Sequence, residues 1–266
     1  MYKGTGASAG IGIGTAVVVE ESELVIERRE ISDIEAEIQR FRSAVDRTIA
    51  DTERMAQDLA SRAGEKEAEI MQGHMLLLAD PMLTGEIENA VRNEMVNSET
   101  AIENVCNMYA EMFASMGDEL MQQRAADMRD IKTRMQRSLM GIQSADIASL
   151  PAGSILVARD LTPSMTAGIN PANVAGIVTE LGGRTSHSAI LARALEIPAV
   201  VAVTGLLAGV RDGDAIVLDG SSGDVYVNPD EETRKAFAGR RTQLADEKKE
   251  LERYIGMPSV TRDGIR

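Results

Sequence analysis

The feature that most constrains this fold is a long helical block set between two β-rich stretches. From residue 32 to about residue 141, apolar side chains recur at spacings of three and four or their sums. Ile34, Ile38, Phe41, Val45, Ile49, Met55 and Leu59 make the first stripe, and Gly64 ends it. Ser32 with Glu35 three positions on reads as a capping box. "EKEAEIMQGHMLLLAD" reads as a second helix. Asp80-Pro81 reads as the cap and first-turn proline of a third, which runs to about Met95. Ser98 caps a fourth, with Ile102, Val105, Met108, Met112 and Met116 on one face. A fifth spans about Asp118 to Met140, with Leu120, Met128, Ile131, Met135 and Leu139 inward and Gly141 at its end. Short links between such stripes predict an antiparallel helical bundle.

The flanks have a different period. "GIGIGTAVVVEESELVIERREI" is glycine-rich, then β-branched, and predicts strands at Val17–Val19 and Leu24–Ile26. Gly10, Gly12 and Gly14 are followed by a valine run and not by a helix, so they do not read as a dinucleotide loop. Close backbone approach within a strand explains them better. After residue 153, "SILVA", "VAGIV", "AVVAV", "AIVLD" and "VYVN" are short β-type runs with helical patterns between some of them. The fold class is therefore α/β plus all-α. Residues 1–30 and 142–229 form a discontinuous α/β domain, and residues 31–141 form a helical subdomain inserted in it. Residues 230–256 read as a solvated connector helix, with Phe237, Leu244, Leu251 and Ile255 as a thin apolar stripe. Residues 257–266 read as the entry to a further strand.

Composition narrows the function classes. No apolar run reaches the roughly 18 residues of a membrane span, and the start lacks the apolar core of a signal peptide. The single cysteine, Cys106, cannot form an internal disulfide, which favours a reducing cytoplasm. A net charge of −14 repels nucleic acid and attracts a basic protein.

One of the two histidines, His187, lies in "GGRTSHSAILAR", at or just before a helix N-terminus. The free N–H groups and dipole there favour an anion. Gly182 and Gly183 allow close approach, Thr185, Ser186 and Ser188 offer hydroxyl donors, and Arg184 offers a fixed charge. The imidazole could serve as general base, metal ligand or nucleophile. With His74 the only other histidine and Cys106 unpaired, a metal site is poorly supported. A nucleophile accepting a phosphoryl group fits best, and an incidental histidine in a capping loop is the plainer alternative.

"GGRTSHSAILARALEIPAV" closely resembles the phosphohistidine signature of the PEP-utilising enzymes, in particular the Enzyme I family of the bacterial sugar phosphotransferase system. "GASAGIGIGTA", "GHMLLLADPML", "QRAADMRDI" and "DLTPSMTA" resemble further blocks of that family in the same order. The resemblance implies a swivelling phosphohistidine α/β domain with an inserted helical subdomain. It implies that phosphate passes from phosphoenolpyruvate to Nε2 of His187 and on to a histidine of the phosphocarrier HPr. Thr166 matches a family threonine whose hydroxyl contacts the active histidine, and Arg184 matches a candidate phosphate contact. Ile70, His74, Leu77, Leu83, Phe113, Met121 and Arg124 fall in segments that match the HPr-docking groove. The resemblance places the phosphoenolpyruvate site and its magnesium in a C-terminal barrel beyond this sequence, and implies no cofactor in this chain and a monomeric fragment. Ala9 departs from a family proline, which loosens one turn. Two rival readings are a swivelling domain of a pyruvate phosphate dikinase or PEP synthase and a non-catalytic module that docks a basic protein.

Overall fold

A computed structural model describes residues 1–19, 24–143 and 147–252. The helical periodicity forms as the spacing predicts. Helices α1 (Ile34–Ala63), α2 (Glu65–Leu78), α3 (Pro81–Glu94), α4 (Ser98–Ser115) and α5 (Glu119–Met140) follow one another through short links. Asp80 caps α3 by accepting from Met82 N at 2.8 Å, and Gly141 closes α5 in the left-handed conformation at φ 68°. The first cap differs from the sequence reading. Asp33, not Ser32, accepts from Ala36 N, so the helix begins one residue later than the capping box required. Asn97 holds the corresponding position before α4 and Ser98 is the first helical residue. Glu99 then takes Arg40 and Asn97 as partners deep in the bundle.

The bundle core joins Phe41, Ile87, Ile102, Ile131 and Met135, all essentially inaccessible. The inner face of α4 is carried by Ala101, Ile102, Val105, Cys106 and Ala110. Met108, Met112 and Met116 point outward instead, as does Leu120. Small residues at Ala101 and Ala110 let neighbouring helices come close, and that selects a face the size-blind periodicity does not.

The sheet has eight strands: β1 (Tyr2–Lys3), β2 (Thr5–Ser8), β3 (Ile11–Val19), β4 (Ser154–Ala158), β5 (Val174–Thr179), β6 (Ala199–Val201), β7 (Ala215–Asp219) and β8 (Asp224–Val227). Their order is β1-β8-β7-β3-β4-β5-β6-β2. The strands from β3 to β6 are parallel, with Thr15 opposite Ser154 and Val19 opposite Ala158, and the outer pairings are antiparallel. Strands from both sides of the helical block thus share one sheet. Leu24–Ile26, expected as a strand, has no strand pairing. Gly12 and Gly14 show the close approach expected of them. A Cβ on Gly14 would sit 2.0 Å from Gly153 O, and one on Gly12 2.8 Å from Ala175 O.

Alternation along β4 sends Leu156 and Ala158 to one face and Ile155 and Val157 to the other. The first face is covered by α6 (Pro163–Ala167) and α7 (His187–Ala194), the second partly by α8 (Leu206–Gly209). Helix α9 (Glu231–Glu252) seats Phe237 against Ile11, Val217 and Tyr226. Arg240 lies over that ring, 5.0 Å from its centre, and pairs with Asp219 at 2.6 Å. The rest of α9 is largely exposed, as its thin stripe predicts. Ile255 and residues 257–266 lie outside the described residues.

Candidate phosphohistidine site at the seam between bundle and sheet

Strand β5 delivers the chain to Gly182, whose φ of 94° belongs to the left-handed region and suits glycine alone. The loop then turns into α7. Ser186 is the N-cap: its hydroxyl accepts from Ala189 N at 3.3 Å and donates to Gly183 O at 2.8 Å. Ser188 is buried, with its hydroxyl 2.9 Å from that of Ser186. These hydroxyls, expected as ligand donors, are spent inside the loop and fix its shape. Thr185 and Arg184 remain exposed, and Arg184 Nε donates to Gly6 O at 3.1 Å, tying the loop to β2. His187 is the first helical residue, as the sequence placed it.

The ring of His187 points at the bundle. Its Nε2 stands 3.3 Å from Oδ1 of Asp127 on α5. His74, on α2, brings its own Nε2 to 3.2 Å from the same oxygen and its Nδ1 to 3.7 Å from Asp130 Oδ2. Arg124 donates to Asp127 Oδ2 at 3.2 Å. Burial works against a charge on Asp127. The contacts of His187 and His74 outweigh it and hold this carboxyl below the usual carboxylate range. Asp130 accepts from both the N–H and the hydroxyl of Ser164 on α6, at 3.0 and 2.6 Å. Arg62 of α1 reaches the carbonyls of Ala167 and Ile169. Ala56, Leu59 and Met71 complete the seam against Ala167 and Leu191.

The other expected site residues lie in varied surroundings. The Thr166 hydroxyl donates within its own turn, to Pro163 O at 2.8 Å with Thr162 O at 3.1 Å, and makes no hydrogen bond to His187. Threonine's one proton satisfies the backbone of a short helix first. His74 and Leu83 cannot line an open groove, because His74 is fully buried and Leu83 lies in the bundle core. Leu77 and Phe113 are half-buried against that same core, Ile70 is half-buried at the seam, and Met121 and Arg124 are partly exposed. The exposed apolar side chains are their neighbours: Leu76, Met82, Met108, Met112, Met116 and Leu120. The short links set the end of α2 beside the start of α3, and the end of α4 beside the start of α5. Leu120 and Asp127 are seven residues apart on α5, so Leu120 lies about 10 Å along the helix from His187's partner.

Asp127 and Asp130 went unnoticed in the sequence. Their signal was a second stripe on α5: Asp127, Asp130 and Arg134 recur at helical spacing, offset from the apolar stripe, and all three are buried. Among the described residues no group of three or more His, Cys, Asp or Glu is arranged to hold a metal ion. No helix among them is long and apolar enough to cross a membrane.

Comparison with known proteins agrees with this architecture. Residues 3–124 match the family described as PEP-utilising enzyme, N-terminal, and residues 150–223 match PEP-utilising enzyme, mobile domain. The chain is 39% identical over 262 residues to the phosphoenolpyruvate-protein phosphotransferase of Bacillus subtilis, covering 98% of this chain and 46% of that one. It is 39% identical over 263 residues to the protein of the same name from Listeria innocua, covering 99% and 46%. The chain thus spans about half the length of the curated relatives it matches. A solution structure of Enzyme I matches with a TM-score of 0.79 and 37% identity, covering 92% of this chain and all of the other. An N-terminal domain of Enzyme 1 – Nitrogen shares the fold at a TM-score of 0.58 and 23% identity, over 91% of this chain and all of that one. With its bundle inserted between strands of one sheet and its histidine at the seam, the chain belongs to the PEP-utilising enzymes, in the branch represented by Enzyme I.

Proposed function

We propose that this chain carries a phosphoryl group on His187 and exchanges it with a histidine of the phosphocarrier HPr. In that step a lone pair of the His187 ring attacks phosphorus. A P–N bond forms, the P–N bond to the donor histidine breaks, and the proton shed by the His187 ring is balanced by the one the departing donor ring takes up. The observation that carries the reading is the position of His187: the first residue of a capped helix, beside a glycine turn, where helix N–H groups favour an anion. The names of the relatives, phosphoenolpyruvate-protein phosphotransferases, agree with it.

Phosphoenolpyruvate and magnesium act in a part of the protein outside this sequence, and the reaction takes place in the cytoplasm. Docking uses the methionine-rich end of the bundle, where exposed apolar side chains adapt to a small partner. The excess of acidic residues steers a basic carrier there. Thr166 contacts the ring only after it turns from the arrangement seen here. Incubation with labelled phospho-HPr tests the proposal. Label enters the chain, phosphoenolpyruvate alone delivers none, and His187→Ala abolishes uptake while HPr still binds. Uptake that survives His187→Ala excludes this histidine. HPr binding without uptake by the unaltered chain supports a non-catalytic docking module.

A further inference from the structure

The Asp127 carboxylate faces His187 in a way that bears on the ring's own chemistry. A carboxylate accepts hydrogen bonds and donates none. Its Oδ1 stands 3.3 Å from Nε2 of His187, so a lone pair on that nitrogen would meet the oxygen's negative charge. The arrangement favours a proton on Nε2. A neutral ring then keeps its only lone pair on Nδ1, and a charged ring has none. Both ring nitrogens are shielded from solvent and have no hydrogen-bond partner within bonding geometry. Nε2 is thus blocked by a proton and a negative charge, and Nδ1 by burial. The other titratable groups around the ring do not change this. Arg124 and His74 stand behind Asp127, and Asp160, in the loop before α6, adds a second negative charge within electrostatic reach.

We infer that Asp127 is a positioning residue that holds His187 in a resting form, with Nε2 protonated and neither nitrogen open to a phosphoryl donor. The ring leaves this carboxylate before it reacts. A phosphoryl dianion cannot take the ring's place beside Asp127, so the same contact opposes return of the phosphorylated ring. The significance of this resting form rests on the reading of His187 as phosphoryl carrier, but its test needs no phosphoryl donor.

The chain's two histidines make the test simple. Long-range proton–nitrogen NMR of the unaltered chain near neutral pH is expected to show the His187 proton on Nε2, exchanging slowly enough to be observed directly. A proton on Nδ1, or no protected Nε2 proton, overturns the inference even if every variant misfolds. Diethyl pyrocarbonate then reports whether the ring is free, read by peptide mass. In Asp127→Asn, which keeps shape and loses charge, His187 is expected to react about tenfold faster, the scale of losing one close charge in a shielded setting. His74 shares Asp127 as a partner, so amide exchange protection of the bundle core serves as the control for general loosening. Unchanged His187 reactivity, or acceleration matched by an equal loss of protection in the bundle core, overturns the inference. Absence of phosphoryl uptake in a chain that passes these tests would count against the proposed function and leave Asp127's role standing.

Discussion

The bundle core and the seam beside it are held by different physics. Inside the bundle, Phe41, Ile87, Ile102 and Ile131 form one dry apolar cluster. At the seam, a small apolar contact around Leu59, Met71 and Leu191 is joined by directional polar contacts: Asp127 with His187, Asp130 with Ser164, and Arg62 with two carbonyls. Apolar burial is lost in full when surfaces part, whereas water can replace most of a broken hydrogen bond. The core is therefore built to persist, and the seam is built so that it can open without unfolding either side. His187 sits on the second kind of surface.

This contrast can be broken at either end. The largest effect belongs to the core. Phe41→Ala removes a fully buried ring and is expected to cost about 3–5 kcal/mol of stability, measured by chemical denaturation. A loss below about 1 kcal/mol would mean the bundle repacks freely, against the view of it as the persistent part. Acid acts more weakly, through the seam. Asp127 has a folded pKa held below its unfolded value of about 3.9, so its contribution is present above that pH and is lost as pH falls. Denaturation midpoints of the unaltered chain and Asp127→Asn, compared between pH 6 and pH 3, should converge toward the acid end. Parallel curves would place the acid sensitivity elsewhere. The smallest effect is expected at the sheet edge, where Lys3 pairs with Asp224 at 2.7 Å in a largely exposed setting. Lys3→Gln should shift stability by about 0–1 kcal/mol, and less at high salt. A larger loss would make the short edge strand β1 matter more than its two residues imply.

Much of this fold is legible in the sequence. Gly64, Asp80-Pro81 and Gly141 marked helix ends because caps and breakers act locally. The parallel strands β4 and β5 appeared as short β-branched runs, and "GGRTSH" placed His187 at a helix start. What escaped depended on neighbours distant in sequence. Leu24–Ile26 has strand composition but no strand beside it to pair with. Met108, Met112 and Met116 follow Ile102 and Val105 by spacing, yet the covered face of α4 turns to Cys106, Ala110 and the half-buried Tyr109 and Phe113, and the methionines meet solvent. Thr166 prefers carbonyls of its own turn, a choice that family likeness did not foretell. Asp127 was invisible because a carboxylate on a helix usually faces water. Only the folded arrangement brings two histidines to its one oxygen.

The central claim, that the seam histidine is the reactive one, is tested most directly by locating the phosphate. The chain is incubated with labelled phospho-HPr, digested, and its peptides mapped for an acid-labile, base-stable label. The account predicts a single labelled peptide, the one containing His187. Label on the peptide containing His74, or label that resists acid and marks a hydroxyl ester, would contradict it.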